Sequence, residues 1–587
     1  MASRLFLREA METRLKTQTI VLLLIFVVLG LYYPAIFAPL GCLDDPGMRD
    51  SLLNTDTFSL RSIFFPGGSG SYYRPLLSLS FFWDKYVWGL EESFMHLENV
   101  LLHLFNTLLV FGITLRVGRL LKISSPLPVF LAPLFFAIHP INTESVNWIS
   151  GRTDLLAGFF ILLSAFLLIG ETKSKIATLG AAFSLLIACL AKETAVFFLP
   201  AALVLPFFSP PCITSKCTLR ATFVENIPHI LIFTFTGACY FVFRKLAFWQ
   251  SDFGIGQVAT RVAGVQGPGF LISLRLLLKA AGFYVKKLFI PFPLNLAIIH
   301  VSDLYIIVGV LLCILILLLL TRRTLSGFFF LSAASLGASA LLVPLIAMTW
   351  TPLAERYMYI PSAFFLVGLT FVVYQWEWRI HRQRIMVLAI ASVAAIALVG
   401  TAQRNFLWQD NLALLEDCLR KSPGFVPAQN QLATVLYSNG KISEGNALIK
   451  SMKSPEDLIN FQYGLISKSA ALINVGDDVG ARKILRQALA NPGRHEAKII
   501  ERLLKLNNKE VLEGKTAQEK LYPENVELLS RIYAITGDTF YLYRLGQTHL
   551  FNNNRAKARL AFQRVVALAP ENVYYYKASE KLLTKLL

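Results

Sequence analysis

Leu304-Tyr305-Ile306-Ile307-Val308-Gly309-Val310-Leu311-Leu312-Cys313-Ile314-Leu315-Ile316-Leu317-Leu318-Leu319-Leu320 runs without a charged side chain, and reading it as a bilayer-crossing helix decides the class of the whole chain. Crossing the hydrocarbon core takes about 20 predominantly apolar residues, and Ile385–Val399 is a second run of the same kind. Of the 587 residues, 55% are hydrophobic and only 16% charged, where soluble domains run near a quarter charged; the mean hydropathy is +0.55. The expected fold class is all-α, a polytopic membrane core followed by a soluble helical tail. The net charge of +19 invites a nucleic-acid reading. The basic residues are scattered, however, and many sit where cytoplasmic loops should lie, so no nucleic-acid partner is expected.

Hydropathy marks twelve segments, near 20–40, 98–115, 127–138, 155–170, 176–190, 194–208, 226–243, 268–292, 304–320, 326–348, 359–375 and 385–401. Arg4, Arg8, Arg14 and Lys16 precede the first. That run is too long for a signal-peptide core and no small-residue cleavage site follows it, so it reads as a retained helix entering from the cytoplasm. The basic clusters Arg116/Arg119/Lys122, Lys173/Lys175, Lys216/Arg220, Arg322/Arg323 and Arg379–Arg384 all fall inside only if one segment between Phe243 and Leu304 does not cross. The segment 268–292, which carries Arg275, Lys279, Lys286 and Lys287, is the one that suits the interface, either as a surface helix or as a re-entrant hairpin. About eleven crossings result. Residues 1–18 are then cytoplasmic, 19–401 form the membrane core, and 41–97, 139–154, 244–303 and 349–358 share one outer face with the tail, 402–587. The weakest crossing is the short pair split by Ala191-Lys192-Glu193-Thr194. The seven cysteines (Cys42, Cys189, Cys212, Cys217, Cys239, Cys313 and Cys418) form neither a disulfide framework nor a zinc set.

The tail is polar and helix-forming. Leu542-Tyr543-Arg544-Leu545-Gly546, then Ala558-Arg559-Leu560-Ala561-Phe562 and Pro570, fit a tetratricopeptide-like unit: small residues where two helices cross, an aromatic knob and a closing proline. Gly476, Ala481, Ala488 and Pro492 suggest a second unit, and Leu432, Ala433, Gly440 and Ala447 a weaker third. Such helical hairpins stack into an α-solenoid whose concave face binds peptides or proteins.

Four outer stretches carry polar chemistry. Gly41-Cys42-Leu43-Asp44-Asp45-Pro46 sets two carboxylates side by side at a membrane face, where each opposes ionisation of the other. They read as a solvated turn or as a general base with its neighbour. His139-Pro140-Ile141-Asn142-Thr143-Glu144, continuing to Trp148-Ile149-Ser150-Gly151-Arg152-Thr153-Asp154, packs His, Glu, Arg and Asp between two apolar runs. Thr153 or Asp154 could cap the next helix, and Arg152 could pair with Asp154 or with a lipid phosphate. His139 and Glu144 lack a third ligand at metal spacing. Thr351-Pro352-Leu353-Ala354-Glu355-Arg356-Tyr357-Met358-Tyr359 suits either interfacial anchoring or bidentate grip on an anionic headgroup by Arg356. Tyr72-Tyr73-Arg74-Pro75 and the Lys286-Lys287 pair add further cations on that face.

Leu43-Asp44-Asp45, Tyr73-Arg74-Pro75-Leu76, His96-Leu97-Glu98-Asn99, His139-Pro140 through Asp154, Ala191-Lys192-Glu193-Thr194 and Ala354-Glu355-Arg356-Tyr357-Met358-Tyr359-Ile360-Pro361 occur in the order in which the transmembrane and tetratricopeptide-repeat O-mannosyltransferases and their bacterial relatives carry such stretches. From about residue 20 to 440 the chain resembles that family, of the GT-C glycosyltransferase superfamily; the worn repeats of the tail depart from its long arrays. The resemblance implies transfer of a hexose, mannose first, from a polyprenyl-phosphate donor to an acceptor hydroxyl, with a protein Ser or Thr as the acceptor offered by the repeats. It puts the acid pair Asp44 and Asp45 at the catalytic centre, Asp44 as base. Arg356, Arg74, Lys286 and Lys287 would then face the donor phosphate, with His139, Glu144, Arg152, Asp154, Glu355 and Tyr357 shaping the pocket. No cofactor is required. Some superfamily members use a divalent ion, but no ligand spacing here supports one. The expected setting is a bacterial inner membrane, with the repeats periplasmic. Two rivals stand beside this: a GT-C enzyme acting on an envelope lipid or polysaccharide, and a non-enzymatic membrane-anchored repeat scaffold. A transporter is disfavoured by the absence of paired repeats with broken helices.

Overall fold

The computed structural model describes the chain apart from residues 1, 42, 54, 56–57, 67–71, 124, 171–173, 209–218, 248–269, 323, 347–350, 376–379, 452–460, 491–495, 570–572 and 587. Cys42, Cys212, Cys217, Lys173, Lys216, Arg323, Arg379, Pro492 and Pro570 therefore lie outside the described residues. Among the described residues the chain is helical throughout, with only an isolated bridge between Ile298 and Leu353. It divides into a membrane unit that reaches Pro423 and a repeat unit from Gly424 to Leu587.

Seven helical stretches are long and apolar enough to cross a bilayer: Thr17–Phe37, Glu92–Leu120, Ile149–Leu168, Ile227–Ala247, Leu325–Val343, Glu355–Gln375 and Ile385–Leu407. Leu127–Ile138 and Pro140–Asn147 form one further candidate, bent by 45°, and three shorter apolar helices cover Lys175–Ala191, Glu193–Phe208 and Tyr305–Thr321. The chain is a multi-pass membrane protein. These stretches coincide with the segments expected to cross. The remaining one, Phe270–Phe289, is a single unbroken helix with Arg275, Lys279, Lys286 and Lys287 along it; the hairpin alternative does not apply. Its close packing on Tyr305–Arg322 rests on Gly282 and Gly309, since a Cβ at either would collide with a backbone carbonyl of the other helix, that of Tyr305 or Leu278.

The Glu92–Leu120 helix organises the membrane unit. It packs on Ala2–Tyr32, Leu127–Ile138 and Arg152–Leu168 and buries Asn99, His103, Asn106, Thr107 and Thr114 along with its apolar residues. Buried polar side chains between membrane helices must find partners within the protein, and the donors of Asn99, Asn106, Thr107 and Thr114 do. His103 Nδ1 lies 2.9 Å from the Tyr359 hydroxyl, and Asn106 donates to that hydroxyl at 3.0 Å and to the Leu155 carbonyl at 3.0 Å. Glu355–Gln375 is thereby central to the bundle and mostly buried, whereas Ile385–Leu407 is mostly exposed, which leaves that helix its lipid-facing apolar surface.

The membrane unit extends past residue 402, where the tail was expected to begin. Asn411–Lys421 belongs to it because Asn411 donates to the Leu40 carbonyl at 2.9 Å, Lys421 to the Leu294 carbonyl at 2.6 Å, and Ser422 to the Ala297 carbonyl at 2.8 Å.

The repeat unit is a run of helices: Val426–Ser438, Ile442–Ser451, Phe461–Asn474, Asp478–Ala490, Glu496–Leu512, Gln518–Thr536, Thr539–Phe551, Arg555–Leu568 and Tyr574–Leu586. Consecutive helices pack on one another; the central ones share a core that includes Leu465, Leu485, Ile499, Leu503 and Leu528, while Ala433 with Ala471 and Leu542 with Val565 and Tyr575 anchor separate clusters to either side. The Thr539–Phe551 and Arg555–Leu568 helices cross at Gly546, where a Cβ would stand 2.6 Å from the Phe562 ring. A small residue facing an aromatic knob is the packing expected of a tetratricopeptide-like hairpin.

Candidate functional site

The acid pair splits into two unlike groups. Asp45 opens the Asp45–Leu53 helix and is fully buried, while Asp44 is exposed. One Asp45 oxygen accepts from the Gly41 N–H at 3.0 Å; the other accepts both the Ser150 N–H at 3.0 Å and the Ser150 hydroxyl at 2.5 Å. Burial pushes the Asp45 carboxyl up to about 6, against the pull of the Ser150 and Gly41 hydrogen bonds and with a smaller push from the Asp44 charge. Gly41 is needed here, because a Cβ would come within 2.8 Å of the Asp45 carboxylate and 3.1 Å of the Trp148 ring.

Trp148 links this loop to the cations. The Arg356 guanidinium lies 5.0 Å from the Trp148 ring and 4.9 Å from the Tyr357 ring. It is ion-paired with Glu144, whose other oxygen accepts the Arg356 backbone N–H at 3.0 Å. It also donates to Thr351 at 3.2 Å and to the Tyr357 hydroxyl at 3.3 Å. The Lys192 ammonium stands 5.7 Å from the centre of the Tyr357 ring and 2.6 Å from Asp154. Next in the chain, Glu193 holds Arg74 through two hydrogen bonds of 2.8 and 2.5 Å. Three cation–carboxylate pairs thus gather around Tyr357 and the Lys192-Glu193 turn. A small pocket with room for about one water lies at the Lys192–Asp154 pair, lined also by Thr194, Ser339, Tyr357, Leu336, Ile360 and Pro361.

Other expected site residues are engaged elsewhere. Arg152 is fully buried, pairing with Asp84 at 2.6 Å and Glu98 at 2.9 Å and donating to Asn99 and the Met95 carbonyl. It clasps the Pro75–Val87 helix to the bundle; neither Asp154 nor an open surface takes it. His139 sits at the 45° bend, with Nδ1 accepting the Ile141 N–H at 3.2 Å and Nε2 3.1 Å from the Leu288 carbonyl. Lys287 spends its three N–H donors on Glu355 and on the Pro291 and Pro293 carbonyls, which leaves none for a phosphate. Glu355 also accepts the Asn295 N–H at 3.0 Å, and Lys286 donates to the Phe292 carbonyl. These groups hold the 290–296 loop rather than face the pocket. Among the described residues no three His, Cys, Asp or Glu side chains converge as a metal-ligand group.

Sequence reasoning leaves out Lys192, Glu193, Ser150, Trp148 and Asp84. The available signal is the cost of charges in an apolar setting: Lys192 and Glu193 interrupt two apolar runs, and the sequence reading takes them as a break and as one of the family-like stretches without giving them a site role.

Comparison with known proteins finds likeness over part of the chain. It is 43% identical over 97 residues to protein O-mannosyl-transferase TMTC2 of Mus musculus, covering 16% of this chain and 11% of that protein. Over 152 residues it is 34% identical to protein O-mannosyl-transferase TMTC1 of Mus musculus, covering 24% of this chain and 16% of that protein. Over 101 residues it is 38% identical to protein O-mannosyl-transferase TMTC4 of Homo sapiens, covering 16% and 14%. No protein-family model and no solved structure matches. The likeness is to proteins named as protein O-mannosyl-transferases, and it spans about a tenth to a sixth of their length.

Proposed function

We propose that this chain is an integral-membrane glycosyltransferase that moves a hexose, mannose first, from a polyprenyl-phosphate donor to a protein Ser or Thr hydroxyl. The partial likeness to protein O-mannosyl-transferases supports the class. The observation that carries the chemistry is the division of labour in the acid pair: Asp45 is buried and held by Gly41 and Ser150, and Asp44 beside it is exposed. Asp44 takes the proton of the acceptor hydroxyl as its oxygen bonds to the anomeric carbon. The bond from that carbon to the donor phosphate breaks, and the phosphate leaves with the electron pair. One displacement inverts the anomeric centre through an oxocarbenium-like state. Cations held in place beforehand stabilise the departing phosphate, and Arg356 and Arg74 are assigned to that task.

The repeat unit is assigned to acceptor binding, since helical-hairpin arrays bind polypeptides. The setting we propose is a bacterial inner membrane, with a cytoplasmic N-terminus and the site and repeats extracytoplasmic. Purified full-length protein incubated with polyprenyl-phosphate mannose and an envelope extract tests this. Intact-mass analysis should find hexose added to proteins; label appearing only in lipid or polysaccharide would overturn the acceptor assignment, and no transfer would overturn the function.

A further inference from the structure

Residues 38–41, just ahead of the acid pair, lie between the Tyr33–Phe37 turn and the Asp45–Leu53 helix and belong to neither. Their backbone is held instead by side chains from distant parts of the membrane unit. The Leu40 N–H donates to Glu92 at 3.1 Å, and the Leu40 carbonyl accepts from the Asn411 amide at 2.9 Å. His96 Nε2 lies 3.4 Å from the Pro39 carbonyl, and the Gly41 N–H goes to Asp45. The Leu40 side chain packs on the cluster that contains Leu52, Leu90 and Ile149. Leu40 is thus fixed at its N–H, at its carbonyl and at its side chain.

Glu92 grips this segment twice. Its second oxygen accepts from Arg49 at 3.3 Å, so one carboxylate holds the chain both before and after Asp44. Asn411 completes a series: Asn405 donates to the Leu31 carbonyl at 2.8 Å and Gln409 to the Pro34 carbonyl at 2.7 Å. Three side-chain amides therefore fasten the path from the first membrane helix to the acids, and Asn411 is the last of them before Asp44. Uncharged bonds to backbone groups carry no field to a substrate; what they fix is position. Position matters steeply for a general base, which must come within hydrogen-bond reach of the proton it takes. A misplacement of about 1 Å can slow a reaction about 100-fold.

We infer that Glu92 and Asn411 are positioning residues for the transfer reaction: together they clamp the Leu40 peptide and so set where the Asp44 carboxylate stands. The inference rests on the assignment of Asp44 as base. Neither residue is assigned a substrate contact, so their influence on rate runs through Asp44 alone. That dependence separates a clamp for the base from a bond that merely stabilises the fold.

Initial-rate kinetics of purified full-length protein in micelles with polyprenyl-phosphate mannose test this, beside hydrogen exchange over residues 38–48. Asn411→Ala leaves its own helix capped, because Asp410 accepts the Leu412 and Ala413 N–H groups at 2.8 and 3.3 Å. It should lower kcat at least about tenfold with the donor KM within about twofold of wild type. Exchange should quicken over 38–48 and stay unchanged in the repeat helices. Glu92→Ala should behave alike, and Glu92→Gln, which can still accept the Leu40 N–H, should recover most of the rate. In an Asp44→Asn background Asn411→Ala should cost less than about twofold, because a clamp has no effect once the base it places is gone. An equal loss in both backgrounds would overturn the inference. So would a change in donor KM alone, unchanged rates in folded Asn411→Ala and Glu92→Ala, or exchange over 38–48 that neither variant alters. Asp44→Asn transferring sugar at the wild-type rate would sink the base assignment, while faster exchange in the two variants would still show the clamp.

Discussion

Ser150 donates both its backbone N–H and its hydroxyl to one oxygen of Asp45, at 3.0 and 2.5 Å, across 105 residues of chain. That junction fixes the loop after the first membrane helix to the Ile149–Gly151 turn, at the start of another membrane helix. Removing the hydroxyl alone should therefore be felt in both stability and rate. Ser150→Ala loses a hydrogen bond to a buried charged group, a loss of about 1–3 kcal/mol. We expect a lower unfolding midpoint and at least about tenfold slower transfer, checked by thermal unfolding in micelles and by initial rates.

Asp45 also gives a pH dependence with a defined sign. Its folded pKa is raised from 3.8 to about 6, so the folded protein binds this proton more tightly than the unfolded chain does. The stability it contributes is fully present below about pH 4 and is lost as pH rises to about 6, by an amount of order 3 kcal/mol. Asp45→Asn should remove that part of the slope. Unfolding midpoints between pH 4 and 7 for the two proteins are the measurement.

Lys287 is predicted to serve the fold. Lys287→Met leaves Glu355 buried without its cation, a change worth about 3–5 kcal/mol. The double variant with Glu355→Gln should recover most of the loss. Unfolding of the single and double variants checks this; a stable single variant would return Lys287 to the list of ligand-binding cations.

In the repeat unit, Gly546→Leu forces a side chain into the Phe562 ring. Overpacking of this kind costs about 1–3 kcal/mol. Limited proteolysis of the full-length protein should cut faster between residues 539 and 568, with cleavage in the membrane unit unchanged.

The membrane helices were legible in the sequence because long apolar runs have one stable use in a bilayer. That 270–289 forms one helix was legible too, and its four basic residues are what set it apart from the other apolar runs. The partners within the site were not. Arg74 meets Glu193 across 119 positions and Arg356 meets Glu144 across 212, and nothing local marks such pairings. Arg152 looked open to Asp154 or a phosphate because its partners, Asp84 and Glu98, lie on other helices. Nothing local separates the burial of the adjacent aspartates, which follows from the fold bringing Ser150 to one of them. The end of the membrane unit was placed too early because Asn411–Lys421 is polar by composition, while its attachment comes from single hydrogen bonds to distant carbonyls.

The most direct test is the initial rate of mannose transfer from polyprenyl-phosphate mannose by Asp44→Asn, compared with wild type at equal amounts of folded protein. Loss of a general base should lower the rate by about 100-fold or more while leaving the unfolding midpoint within a degree or so, because Asp44 is exposed. A variant that unfolds like wild type and transfers sugar at the wild-type rate would contradict the account.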